Sequence, residues 1–139
     1  MALQRLNPAG LAPPVGAYVH GVRGGGLVFV AGQVARDREG RIVGVGDIEA
    51  QTAQALETVQ AVLAEAGCTL ADVVKLTVYL TDMRHRERVS AVRRRYFGEH
   101  LPASTMVEVS KLGSPELLIE IDAIALAPAQ APTVAEDEL

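Results

Sequence analysis

Two carboxylates near the C-terminal end are the residues best suited to acid–base chemistry. Glu120 lies between Ile119 and Ile121, and Asp122 follows two residues later. On a strand, residues two apart share one face, and two like charges on one face favour wet surroundings. An ordinary solvent-facing carboxylate is therefore the simpler interpretation from the pattern alone, and a functional carboxylate is the alternative.

Hydroxyl groups form a second set of candidates. Ser104 and Thr105 follow Pro102 in a segment that reads as a strand, so their side chains should point to opposite faces. Both are either ordinary strand residues or ligand contacts. Tyr18 could stack on a ligand or donate its phenol, or it is simply an amphipathic strand residue.

Two predicted helices would position these residues. Asp47 is a plausible N-cap for a helix that extends to Ala66, with Gly67 as its left-handed stop. Its apolar stripe has spacings of three and four and comprises Ile48, Thr52, Leu56, Val59, Leu63 and Ala66. A second helix over about 86–97 places Val89, Val92 and Tyr96 on one face.

The strands are predicted from alternation and from turn residues. They cover about 18–22, 27–31, 41–43, 74–80, 104–112 and 117–126, the last two joined as a hairpin around 113–115. Gly32 would allow a close backbone approach that a side chain would block. The order β-β-β-α-β-α-β-β predicts an α+β fold. Because two helices cannot cover both faces of such a sheet, another copy of the chain is the expected cover.

Composition narrows the class of protein. The 139 residues suit one domain over 1–127, followed by a disordered acidic tail over 128–139. A net charge of −4 and 4% aromatic residues argue against nucleic acid as a partner. No signal peptide or membrane-spanning run is seen, and the single Cys68 favours a cytoplasmic location. His20, His85 and His100 are too scattered to predict a metal site.

The order and spacing of several motifs resemble the Rid family (reactive intermediate deaminase, also called YjgF or UK114). The motifs are Tyr18, Gly32-Gln33, residues 77–82, residues 96–100, residues 102–109 and residues 118–125, and the likeness extends from Asn7 to Ala125. The resemblance implies a homotrimer of chorismate-mutase-like folds (bacillus type), with two helices on one face of each sheet. It also implies cofactor-free hydrolysis of small enamines or imines to a carbonyl compound and ammonia, in clefts between subunits.

The resemblance assigns roles to particular residues. Glu120 matches the family glutamate that holds or activates the attacking water, and a partly desolvated carboxylate with a raised pKa would suit that task. Ser104 stands where the best-known members carry an arginine that grips the substrate carboxylate. A neutral hydrogen bond is worth about 1 kcal/mol, against roughly 1.5–3 kcal/mol for one to a charged group. We therefore expect weak activity on 2-iminopropanoate and a different substrate, in a site lined by Tyr18, Gly32, Ser104, Thr105, Met106 and Arg93.

Six arginines lie within twelve residues on and just before the second predicted helix, at positions 84, 86, 88, 93, 94 and 95. Arg93 replaces an aromatic residue common in the family and could supply a displaced positive charge. The other arginines suit a solvated face, although an RNA-binding or endoribonuclease function is an alternative. A binding protein of the same fold without turnover is the other alternative.

Overall fold

A computed structural model describes residues 2–129, which contain two short 3-10 helices (Leu70–Asp72 and Met83–His85), six strands and two α-helices; the strands and α-helices position the site. In chain order they are β1 (Gln4–Leu6), β2 (Gly21–Gly24), β3 (Leu27–Val34), α1 (Ile48–Glu65), β4 (Val73–Leu80), α2 (Arg86–Phe97), β5 (Ala103–Glu108) and β6 (Ile119–Leu126). The architecture is α+β, as predicted. Most of the predicted acidic tail lies outside the described residues.

The strands form one sheet in the order β1-β2-β3-β6-β4-β5. Neighbouring strands are antiparallel except β4 and β5, which are parallel and are connected through α2. A parallel pair needs such a crossover, whereas a hairpin makes only antiparallel pairs. The predicted hairpin between β5 and β6 is therefore wrong, because β6 pairs with β3 and β4 and leaves β5 at the sheet edge.

The first part of the sheet also differs from the prediction. β1 was not predicted, and residues 41–43 are not a strand but make a single bridge between Arg36 and Ile42. Tyr18 precedes β2 and lies outside any strand. The predicted order of element types matches the observed one, but its first three strands are not all the same segments.

The helices agree closely with their sequence signals. The Asp47 side chain accepts the Ala50 N–H at 3.1 Å, which caps the first turn of α1. Beyond the last turn, Gly67 adopts φ 76°, a conformation that favours glycine. The predicted bounds of α2 match the observed ones, and its Val89 and Val92 are fully buried.

Both helices lie on the same face of the sheet. Every second strand residue points into the core beneath them, as with Val28, Leu76 and Ile121. The opposite face, which we call the open face, has no helix over it within the described residues. It exposes large apolar side chains, among them Leu27, Phe29, Val107 and Leu126.

Gln51 ties α1 to the segment that leads into β6. Its side chain is fully buried and donates to the carbonyl oxygens of Gly44 at 3.1 Å and Glu116 at 2.8 Å. Its own carbonyl oxygen accepts the Leu118 N–H at 2.9 Å. The Gln51 side-chain amide thus satisfies the hydrogen bonding of three backbone groups. It thereby fixes the segment that leads into β6, the strand that carries Glu120.

Replacement of Gln51 by leucine keeps the approximate volume but removes all three hydrogen bonds. Each buried backbone group left without a partner costs about 1–3 kcal/mol. We expect Gln51→Leu to lower the free energy of unfolding by about 2–5 kcal/mol in urea denaturation at fixed protein concentration. Gln60→Leu, on the same helix, is the matched control, and an equal loss in both variants would contradict this role for Gln51.

Candidate functional site

Glu120 is half-buried in the middle of the sheet. In β6 it alternates with the buried Ile119 and Ile121, so its side chain belongs to the open face. Burial raises the pKa of its carboxyl group, and the nearby Asp122 carboxylate raises it further. The pKa direction agrees with the prediction for a carboxylate that can act as a base.

Gly32 gives the Glu120 carboxyl group its space. A β carbon at position 32 would lie 2.7 Å from Cδ of Glu120, closer than real contacts of this kind. The register of β3 against β6 shifts between Val30 and Gln33, which brings the backbone at Gly32 toward that carboxylate. The close approach predicted for Gly32 is therefore present, and what approaches is a side chain within the same protein.

A cavity of about 320 Å³ opens beside Glu120. It brings three predicted site residues together, since Tyr18, Gly32 and Glu120 all line it. Tyr18 is 47% exposed, so its ring is available at the cavity surface. Leu11, Ala12 and Pro13, from the segment before β2, form part of the wall.

A buried histidine holds that wall in place. His20 Nε2 lies 2.8 Å from the Ala12 carbonyl oxygen, and its Nδ1 lies 3.3 Å from Nε2 of Gln33. The carbonyl can only accept, so Nε2 carries the proton and Nδ1 accepts from the amide. Sequence reasoning had considered His20 only as a metal ligand, because its partner Ala12 has no recognisable polar signal.

Ser104 lies apart from this cavity. Its hydroxyl oxygen accepts a hydrogen bond of 2.8 Å from Nη2 of Arg93, which projects from α2. Partial burial lowers the pKa of the Arg93 guanidinium. A second cavity, of about 190 Å³, is lined by Arg93 together with Ser90 and Phe97.

Thr105 and Met106 continue along the edge strand. The Thr105 hydroxyl lies 2.6 Å from Nζ of Lys75, whereas Ser104 contacts α2, so the predicted opposite orientation of the two hydroxyls is confirmed. Met106 is half-buried and contacts the core on the helix side. Neither Thr105 nor Met106 lines one of the two cavities.

Within one chain the predicted site is therefore divided. Glu120 pairs with Tyr79, which is in register with Val107, three residues after Ser104. The backbones of Glu120 and Ser104 are separated by two strand-to-strand spacings across the sheet and by three residues along the strand direction. They therefore lie about 14 Å apart. Their side chains also point to opposite faces, so one small molecule cannot contact both in a single chain.

Arg36 is a cavity residue that sequence reasoning missed. It is half-buried, lines the cavity with Glu120 and donates to the Gly40 carbonyl oxygen at 2.8 Å. Its position depends on the turn over 37–40, in which nothing in the sequence indicated a cavity wall.

Among residues 2–129, no group of three or more His, Cys, Asp or Glu side chains is arranged to hold a metal ion. No helix in the same range is long and apolar enough to span a membrane.

Comparison with known proteins gives the family. A family model described as Endoribonuclease L-PSP matches residues 9–127. A RutC family protein of Pyrococcus horikoshii is 47% identical over 113 residues, covering 81% of this chain and 88% of that protein. The 3-aminoacrylate deaminase RutC of Acinetobacter baylyi is 36% identical over 125 residues, covering 90% and 98%. The crystal structure of E. coli TdcF with bound serine superposes with a TM-score of 0.83 at 30% identity, covering 90% of this chain and 99% of that one.

These findings and the fold define a small α+β domain of the Endoribonuclease L-PSP class. The chain belongs to the RutC and YjgF family, which is the Rid family that its motifs resemble.

The raised pKa of Glu120 can be tested directly. Asp122→Asn removes the neighbouring charge but keeps an acceptor oxygen for the Tyr79 hydroxyl, which donates to Asp122 at 2.9 Å. We expect the variant to lower the Glu120 pKa while leaving it above its ordinary value, because burial is the larger cause. Titration of the Glu120 Cδ resonance by NMR measures both values. An unchanged pKa in Asp122→Asn would contradict the assigned coupling.

Proposed function

We propose that this protein hydrolyses a small enamine or imine to a carbonyl compound and ammonia, with Glu120 as the general base. The observation that carries the proposal is a half-buried carboxylate with a raised pKa, lining a cavity with Tyr18 and Gly32. The relative named 3-aminoacrylate deaminase supports this reaction class, since 3-aminoacrylate is an enamine. An exposed strand carboxylate with no cavity beside it would not support this reaction.

The proposed chemistry needs only water and one proton carrier. Glu120 takes a proton from water as its oxygen attacks the carbon of the protonated C=N bond. The resulting carbinolamine receives that proton on nitrogen from the Glu120 carboxylic acid. Ammonia then leaves as the C=O bond forms, and the proton of the former hydroxyl group passes to the Glu120 carboxylate, which releases it to the departing ammonia. An enamine enters the same route after protonation at carbon. A raised carboxyl pKa suits both steps, because the group must accept a proton and return it.

We further propose that each complete site lies between two copies of the chain in a homotrimer. The open face exposes Leu27, Phe29 and Leu126 together, and β5 leaves an unpaired sheet edge beside it. Both are features that proteins cover by association. A neighbouring copy would also allow the Ser104 end of one chain to meet the Glu120 cavity of another, which one chain cannot do.

The assembly is tested by light scattering. We expect a mass three times the 14.7 kDa of the chain at micromolar concentration. Phe29→Lys should dissociate it, because a buried lysine without a partner is costly. Val45→Lys, at an apolar loop residue that is 65% exposed, should leave the mass unchanged. A monomeric wild-type protein would overturn the shared site.

Glu120→Gln tests the chemistry. It keeps the shape of the side chain but removes the charge and nearly all basicity, so turnover should fall by roughly 10²–10⁴-fold with little change in ligand affinity. Ammonia release can be followed with imines generated in place by an amino acid oxidase. Because the Glu120 pKa is raised, wild-type turnover should also fall as the pH drops through that value.

Glu49→Gln, at an exposed position in the first turn of α1, is the matched control and should keep full activity. If Glu120→Gln retained turnover within about threefold, Glu120 would be an ordinary strand carboxylate. A wild-type protein that binds these ligands without releasing ammonia would instead be a binding protein of the same fold without turnover.

The six arginines over 84–95 do not favour the RNA-binding alternative. Arg84 pairs with Asp82 at 2.8 Å, and Arg93 is half-buried against Ser104. The remaining four are exposed, but at 3.6 residues per turn Arg86 and Arg88 point to nearly opposite sides of the helix. A phosphate backbone needs cations on one surface, and these are spread around the axis.

A further inference from the structure

Arg93 differs from the other arginines of α2 in its surroundings. Its guanidinium is half-buried, and no Asp or Glu among residues 2–129 forms an ion pair with it. Its one side-chain partner within that range is the neutral hydroxyl of Ser104. A partly desolvated cation without a counter-charge is an unfavourable arrangement, which a bound anion would relieve.

The geometry around the guanidinium suits a small planar anion. A guanidinium carries five N–H donors in a rigid fork, and the Ser104 contact uses one of them. The 190 Å³ cavity lies beside it, lined also by Leu101 and Pro102. Bidentate pairing of such a fork with a carboxylate is a strong, charge-assisted interaction.

We propose that Arg93 binds the carboxylate of the substrate and that Ser104 positions its guanidinium. This inference rests on the proposed function, and it narrows the substrate to small enamines or imines that carry a carboxylate. The expectation of weak activity on 2-iminopropanoate rested on the neutral Ser104, with Arg93 named as the candidate for a displaced positive charge. With a guanidinium 2.8 Å from that hydroxyl, the positive charge is present at the same place but comes from α2.

The binding test uses pyruvate and its neutral isostere pyruvamide, so that it needs no turnover. Chemical-shift titration of the trimer should show pyruvate binding at least 10-fold tighter than pyruvamide. Arg93→Gln should remove this preference, while Arg93→Lys should keep part of it, since a lysine retains the charge without the fork. Arg95→Gln makes the same charge change at an exposed position outside the cavity and should keep the full preference.

The outcomes separate this inference from the proposed reaction. A carboxylate preference that depends on Arg93, in a protein that releases no ammonia, would support the anion site and overturn the deaminase. Ammonia release with an unchanged preference in Arg93→Gln would support the deaminase and overturn the anion site. If the wild type showed no preference for pyruvate and Arg93→Gln dissociated the trimer, Arg93 would pair with a carboxylate of a neighbouring chain instead of a ligand. That result would also overturn the proposal.

An exchange of the two residues is the sharper test of Ser104. Ser104→Arg alone would place two guanidinium groups side by side, and because a bound carboxylate relieves their repulsion, we expect pyruvate to bind at least 3-fold tighter than in the wild type. Combined with Arg93→Gln, the same change should recover most of the carboxylate preference. Equal binding in the single and the double variant would contradict the idea that the two positions share one ligand.

Discussion

The two helices cover one face of a six-stranded sheet, and the rest of the molecule is arranged by that constraint. On the covered side, alternate residues of β3, β4 and β6 form a continuous aliphatic core. On the open side the same strands present Glu120, Asp122 and Tyr79 at one end and exposed apolar side chains at the other. A face that is part polar and part apolar is suited to contact with another copy that leaves room for a ligand.

The position of Glu120 depends on a local exception to regular pairing. Any residue other than glycine at position 32 would place a β carbon where there is no room beside the carboxyl group. The register shift and the absence of a β carbon at Gly32 solve this together. Since burial is the larger cause of the raised Glu120 pKa, a larger residue at 32 would alter the chemistry of the carboxylate as well as its position.

Sequence reasoning succeeded where the signal is local. The bounds of α1 followed from its stripe, the N-cap at Asp47 and the stop at Gly67, and the predicted bounds of α2 match the observed ones. It failed where pairing is decided between distant segments: neighbouring strands along the chain were joined as a hairpin, whereas β6 inserts between β3 and β4. The same limit applies to the site. Glu120, Tyr18 and Gly32 share a cavity, but the separation of Ser104 from them follows from strand order, which alternation does not encode.

The placement of the positive charge illustrates why a motif should be judged with its spatial neighbours. When only the order along the chain is considered, Ser104 is the loss of an arginine, and Arg93 is one of six arginines within twelve residues. The crossover from β4 through α2 to β5 makes these two positions adjacent. A short side chain at 104 leaves space that the long side chain from 93 fills, and the hydroxyl gives its guanidinium a fixed partner. The two substitutions therefore depend on each other physically, since an arginine at both positions would repel and a neutral residue at both would leave no cation.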